Sequence, residues 1–134
     1  MATKNLWGEL PRVDAKSTPI KILREQASVL DEISGGLLRG TVGATAHGSK
    51  MQLVLYITVP TLNYYQFGLL RVLHDAVDVY PVQVRTGTND ELGEAKNEAE
   101  FVQILENQLK ADRTREILQS LMAQAKAIEG VTPE

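Results

Sequence analysis

The side chains best suited to chemistry are concentrated in residues 63–84 of this sequence. Within this stretch His74 is followed by Asp75, and an imidazole oriented by a carboxylate is a common general base. Adjacent residues on a strand point to opposite faces, however, and in a turn both residue types bond to the local backbone. The pair is therefore interpreted as structural rather than catalytic.

The second histidine, His47, begins the short segment His-Gly-Ser-Lys and raises two further possibilities. With Ser49 and Asp75 it supplies the residue types of an acyl-transfer triad, but the sequence lacks the Gly-x-Ser-x-Gly pattern that would support one. With His74 and Asp75 it would form a metal site only if both histidines occupied turns at one end of a sheet, and no closely spaced ligand pair supports this. We therefore expect no catalytic residue, no metal and no cofactor.

Length, composition and charge indicate the number of domains, the location and the kinds of partner to expect. The chain has 134 residues, which suits a single domain with a core of its own. It has no cysteine and no apolar run long enough for a signal peptide or a membrane span, so a cytoplasmic location without membrane contact is expected. The net charge is −3 and acidic residues predominate in the last third, so there is no basic cluster and no nucleic-acid partner is expected.

The elements that position these side chains begin with a helix. Thr18 is a typical N-cap, Pro19 suits the first helical position, and two consecutive glycines after residue 33 provide a stop signal. These signals predict a helix over residues 19–33. Its apolar positions form a wide stripe, which is typical of a helix that covers a sheet.

The period of the apolar residues then changes to two. Alternation over residues 37–46 and 51–59 predicts two strands joined by a tight turn at residues 47–50. Aromatic and β-branched residues favour a third strand over residues 64–73, in which Gly68 argues against a helix.

The fourth predicted strand lies within residues 77–85. Because Pro81 cannot donate a backbone hydrogen bond, either this strand lies at the edge of the sheet or the Pro81 nitrogen points away from its neighbour. Residues 86–97 are polar and predict a linker. Asn97 with Glu100 forms a capping box for a helix that ends near residue 109.

A last apolar stripe over residues 113–128 either continues that helix or forms a second one. The predicted fold is α+β, with an N-terminal helix, a four-stranded antiparallel β-meander and two C-terminal helices packed on one sheet face. The domain spans residues 18–130, between an N-terminal extension (1–17) and a short tail (131–134). The extension carries Leu6, Trp7 and Leu10, which we expect to pack on the domain or on a partner.

Several apolar residues fall on the sheet side that the helices leave open: Leu37, Val54, Tyr56, Leu70 and Val72. Exposed apolar patches usually mark interaction surfaces, and tyrosine and arginine are enriched at binding hot spots. We therefore predict a small non-enzymatic binding or regulatory module that acts through protein–protein contact, either by self-association or with a partner. The candidate binding residues are Tyr64, Tyr65, Arg71, His74, Asp75, Tyr80 and His47. The alternative is a small-molecule-binding protein or small enzyme with a pocket near the turns of His47 and His74.

Overall fold

The structure, a computed structural model, describes residues 3–12 and 18–129. The predicted tail, residue 130 and residues 1, 2 and 13–17 of the predicted extension lie outside this range. The class is α+β, as predicted, with an antiparallel sheet and helices. In chain order the elements are α1 Pro19–Ile33, β1 Arg39–His47, β2 Lys50–Val59, a 3-10 turn Pro60–Leu62, β3 Tyr65–Asp75, β4 Val82–Thr86, β5 Glu91–Ala95, α2 Glu98–Leu109 and α3 Asp112–Glu129.

Helix α1 begins where its capping signals predict. The side-chain oxygen of Thr18 accepts a hydrogen bond from the backbone N–H of Lys21 at 3.4 Å. Pro19 occupies the first turn, where its missing N–H removes no helical hydrogen bond. The predicted helix over residues 19–33 is therefore confirmed, and its buried side consists of Pro19, Ile22, Leu23 and Ala27.

The sheet is a meander of five antiparallel strands in the order β1-β2-β3-β4-β5, so the prediction of four strands is wrong. The additional strand, β5, lies within the segment predicted as a linker. It is short and carries Glu91 and Glu94, so it shows no apolar alternation. Pairing with β4 and packing against α2 hold it in place, and these contacts override its weak local preference.

Of the two expectations for Pro81, its place in an edge strand is wrong. β4 begins one residue later, at Val82, and it pairs with β3 on one side and β5 on the other. Because Pro81 precedes the paired residues, its missing N–H removes no hydrogen bond from the ladder.

The helices lie against one face of the sheet, here called the helix face. A Cβ atom built on Gly40 of β1 would lie 2.5 Å from the Cα atom of Ala27 in α1, and one on Gly93 of β5 would lie 3.2 Å from Ile104 in α2. Both glycines therefore face helices. The register places Gly40 opposite Ile57 of β2, so alternation puts Leu53, Leu55 and Val59 on this face as well. The opposite side, here called the open face, carries Gly43, Val54, Tyr56 and Arg71.

A β-bulge in β3 changes which residues face the helices. Leu69 is an extra residue between the positions opposite Leu55 and Tyr56. As a result Leu70 and Val72 lie on the helix face and are fully buried. Their predicted place on the open face is wrong, because alternation in the sequence does not show where one residue is inserted.

The C-terminal apolar stripes form two helices, with Lys110 and Ala111 between them. At the start of α2 the Asn97 side chain accepts a hydrogen bond from the Glu100 N–H at 2.9 Å, as the capping box predicts. The Glu100 carboxylate accepts one from the backbone N–H of Lys96 at 3.2 Å, one residue before the position that the capping box specifies.

The described part of the N-terminal extension presents its apolar side chains to solvent. Leu6, Trp7 and Leu10 are 85%, 86% and 73% exposed. They are therefore not buried against the domain, and packing of this segment on a partner stays a prediction. No helix within the described ranges is long and apolar enough to cross a membrane.

Candidate functional site

The predicted site residues divide between the two ends of the sheet. The β1–β2 turn and the β3–β4 connection lie at one end, because Lys50 is opposite Asp75 and the Ala76 N–H donates to the Ser49 carbonyl at 2.9 Å. This end, here called the turn end, carries four of the predicted residues: His47, His74, Asp75 and Tyr80. Tyr65 lies at the other end of β3, about 33 Å away along an eleven-residue strand.

The two histidines share the turn end but lie on opposite faces. His47 is on the open face, where its Nε2 lies 3.4 Å from the hydroxyl of Thr45. His74 is opposite Met51 on the helix face, and its Nδ1 lies 2.8 Å from the carbonyl oxygen of Asp75. The sheet therefore separates the two imidazoles. In residues 3–12 and 18–129 no three His, Asp or Glu side chains lie close enough together to hold a metal ion.

Asp75 caps the turn that follows β3. Its carboxylate accepts hydrogen bonds from the backbone N–H groups of Val77 at 3.0 Å and Asp78 at 3.1 Å. These two bonds, with smaller contributions from the charges of Lys50 and His74, lower the pKa of Asp75 below its ordinary value. The carboxylate thus binds backbone N–H groups of its own turn, which is an ordinary structural role for an aspartate at this position.

Tyr80 and Tyr64 occupy connections outside the strands. Tyr80 is half-buried against the core, and burial, together with the nearby charge of Glu98, raises the pKa of its phenol. Its hydroxyl is buried without a hydrogen-bond partner in the part of the chain that the structure describes. Tyr64 has a φ of 59° in the turn before β3, and its side chain is exposed.

The end of the sheet opposite the turn end contains a cleft of about 710 Å³. We call it the edge cleft. It lies between residues 65–69 of β3, the β4–β5 turn at residues 86–90, and the start of α3 at residues 113–117. Two predicted residues, Tyr65 and Arg71, line it.

One wall of the edge cleft is a strand segment with an open side. β4 pairs with β3 only from Leu70 onward, so the structure shows no strand beside residues 65–68 on that side. A Cβ on Gly87 of the β4–β5 turn would overlap the carbonyl oxygen of Gly68, so that carbonyl points away from β2. Because backbone direction alternates along a strand, the N–H and C=O of Gln66 also point into the cleft.

The β4–β5 turn is fastened to β3 beside this segment. The Gly87 N–H donates to the Leu69 carbonyl at 3.0 Å, and the Nε of Arg71 donates to the Gly87 carbonyl at 3.2 Å. The turn itself is closed by the Asp90 N–H, which donates to the hydroxyl of Thr86 at 3.0 Å. These bonds fix the distance between the turn and the strand, and so the width of the cleft.

The charges around the cleft favour an anionic group. Arg71 is half-buried, and within the described ranges it forms no ion pair. Arg113, at the mouth, pairs with the exposed Glu116 at 3.3 Å. Asp90 is the single carboxylate among the described lining residues, where it accepts a hydrogen bond from Thr88 at 3.2 Å. Because Glu116 balances Arg113, the group of the lining best placed to bind an anion is the guanidinium of Arg71.

Tyr65 and Arg71 reach this cleft from opposite faces. Tyr65 lies opposite Val59 on the helix face, and Arg71 lies opposite Val54 on the open face. They line one cleft because the cleft wraps around the open side of β3. The cleft also uses residues that the sequence did not indicate, namely Gln66, Gly68, Gly87 and Arg113. The contribution of Gln66, Gly68 and Gly87 depends on β4 pairing with only part of β3, a mismatch that becomes visible only once both strands are placed.

Comparisons of the chain with protein-family models, with curated proteins and with solved structures give no match.

Proposed function

We propose that this protein is a small, non-enzymatic cytoplasmic module that holds a short extended segment of a partner protein in the edge cleft. The observation that carries the proposal is the side of residues 65–68 that faces away from β2, where no strand of the described chain pairs with them and a cleft large enough for several side chains opens. A cytoplasmic location accords with the absence of cysteine.

Strand addition is the mode of binding that this geometry favours. An extended peptide that pairs with the open side of a strand gains affinity from backbone hydrogen bonds and specificity from the pockets for alternate side chains. Here the N–H and C=O of Gln66 supply the backbone contacts. Tyr65, which is half-exposed, supplies apolar contact area on the helix face.

Arg71 suggests that the bound segment carries a carboxylate. The guanidinium of Arg71 is oriented by its bond to the Gly87 carbonyl, so forming a charge-assisted hydrogen bond costs it less side-chain entropy. No observation favours the alternative pocket near His47 and His74, since the two imidazoles lie on opposite faces.

Selection of displayed random peptides of about a dozen residues on the immobilised protein tests the proposal. We expect the selected peptides to share an acidic residue. Replacement of Gln66 by proline should weaken their binding at least about tenfold, because it removes an N–H that faces the cleft. That N–H is not part of the β2–β3 ladder, so the variant should retain its fold. Gln66→Ala, which keeps the N–H, should bind like the wild type in isothermal titration.

The matched side-chain variants separate the two candidate sites. Arg71→Ala should weaken binding and remove the preference for acidic peptides, whereas the double replacement His47→Gln with His74→Gln should leave the Kd unchanged. Loss of binding in the histidine variant with an intact fold would instead support the alternative pocket. Peptides that bind the wild type and Gln66→Pro equally well would contradict strand addition.

A further inference from the structure

The two edges of the sheet differ in how well they are protected from pairing with another chain. β5 is five residues long, carries Glu91 and Glu94, has a register irregularity beside it and packs against α2. Short length, charge, bulges and a covering helix are the usual protections of an edge strand. β1 is nine residues long and pairs with β2 without irregularity. Its residues 40–46 contain no charged residue and no proline.

The direction of the β1 backbone groups can be derived from two contacts. The Gly40 N–H donates to the carboxylate of Asp31 in α1 at 2.7 Å, so it points away from β2. At the other end the two-residue turn Gly48–Ser49 is closed by the pair His47 and Lys50, which in such a hairpin bond to each other. Both contacts indicate that the backbone groups of the even-numbered residues of β1 point away from β2 and those of the odd-numbered residues point toward it.

The residues with outward N–H and C=O groups beyond Gly40 are therefore Val42, Ala44 and Ala46. Asp31 occupies the outward N–H of Gly40 and so marks one end of the open segment. Ala44 and Ala46 are exposed, and in residues 3–12 and 18–129 no strand pairs with this side of β1.

We propose that β1 pairs antiparallel with β1 of a second copy, with the two-fold axis at Ala44. Ala44 then lies opposite Ala44 of the second copy, and Val42 opposite Ala46 of the second copy. The three outward residues of each chain form about six N–H···O bonds. Small side chains surround the axis on both faces, and no charge is brought opposite a like charge.

A second copy suits this edge because the pairing is self-complementary. The same residues serve both partners, as a two-fold interface requires. The dimer would contain one continuous ten-stranded sheet. Because β2 separates β1 from β3, the edge cleft of each copy stays accessible in the dimer. This inference is therefore independent of the proposed function.

Disulfide cross-linking of single-cysteine variants tests the proposed β1–β1 pairing. Because the chain has no cysteine of its own, every cross-link must involve the introduced residue. In the proposed pair the two Ala44 Cα atoms lie about 5.5 Å apart, within the range that a disulfide spans. The two Ala46 Cα atoms lie about 14 Å apart, beyond that range. Under mild oxidation Ala44→Cys should form a covalent dimer at least about tenfold faster than Ala46→Cys.

A mixed experiment tests the register. Val42→Cys and Ala46→Cys should each cross-link poorly alone, whereas an equimolar mixture of the two should give a covalent heterodimer. All three side chains are at least partly exposed, and circular dichroism checks that each variant keeps the wild-type fold. Equal cross-linking of the Ala44 and Ala46 variants would overturn the proposal.

Sedimentation analysis provides a measurement that needs no cysteine. The wild type should show a concentration-dependent dimer at up to about 100 µM. Ala44→Pro should be a folded monomer, because the lost N–H points away from β2 and is not part of the β1–β2 ladder. A wild-type monomer throughout this range, or a dimer that Ala44→Pro leaves intact, would overturn the proposal.

Discussion

Replacement of Gly40 by alanine is expected to lower the free energy of unfolding by about 3 kcal/mol. A Cβ at this position would lie 2.5 Å from the Cα, 2.6 Å from the Cβ and 2.8 Å from the carbonyl oxygen of Ala27. Two of these atoms belong to the backbone of α1, so relief requires the whole helix to move off the sheet. The φ of Gly40 lies outside the left-handed region, so the cost is steric. Urea denaturation followed by circular dichroism measures the change.

Gly43 of the same strand provides the matched control. A Cβ there would contact the ring of Tyr56 at 3.2 Å, and the ring lies on the open face, where it can shift. Gly43→Ala should therefore change stability by less than about 1 kcal/mol. Addition of Ala27→Gly to Gly40→Ala removes one of the three close contacts and should restore little stability. Equal stabilities of the Gly40 and Gly43 variants would contradict the close approach of α1 to β1.

The parts of this fold that the sequence predicts correctly are those set by local signals. Thr18 and Pro19 fix the start of α1, and Asn97 with Glu100 fixes the start of α2. Each acts through a hydrogen bond or a backbone preference within one helical turn. The alternation of β2 is similarly clear, because its residues on the helix face form a continuous buried row.

Errors occur where distant contacts decide the structure. β5 has two glutamates in five residues, and it becomes a strand only because β4 and α2 lie beside it. The bulge at Leu69 likewise depends on how β2 and β3 pair, and it reverses the faces of the residues that follow. Neither feature has a signal within a short window of sequence.

The candidate site shows the same division. The residue types of Tyr65 and Arg71 indicate a binding role, and both residues line the edge cleft. The backbone groups of Gln66 and the position of Gly87 have no side-chain signature. His74 and Asp75 are adjacent and chemically versatile, but the Asp75 carboxylate accepts hydrogen bonds from the backbone of its own turn.

Replacement of Gly87 by alanine should have the largest effect on the edge cleft. The added methyl group would overlap the carbonyl oxygen of Gly68 and lie 2.8 Å from its carbonyl carbon. The β4–β5 turn must then move away from β3, which breaks the bonds of Gly87 to Leu69 and Arg71. We expect a loss of about 3 kcal/mol in the free energy of unfolding and a loss of binding to the selected peptides.

Gly68→Ala is the matched control. It tests whether the effect of Gly87→Ala comes from its steric clash or from any added methyl group in this part of the sheet. A Cβ on Gly68 would lie 3.7 Å from the ring of Tyr56, an ordinary contact on the open face, so this variant should stay close to the wild type in stability and in peptide binding. The two variants each add one methyl group, on segments of the β4–β5 turn and β3 that face each other. Only the methyl group on Gly87 would clash with backbone atoms. If Gly87→Ala keeps its fold but loses binding, the width of the cleft determines affinity. If it is as stable as Gly68→Ala and binds as well, the turn is not fastened to β3 and the edge cleft does not hold the peptide.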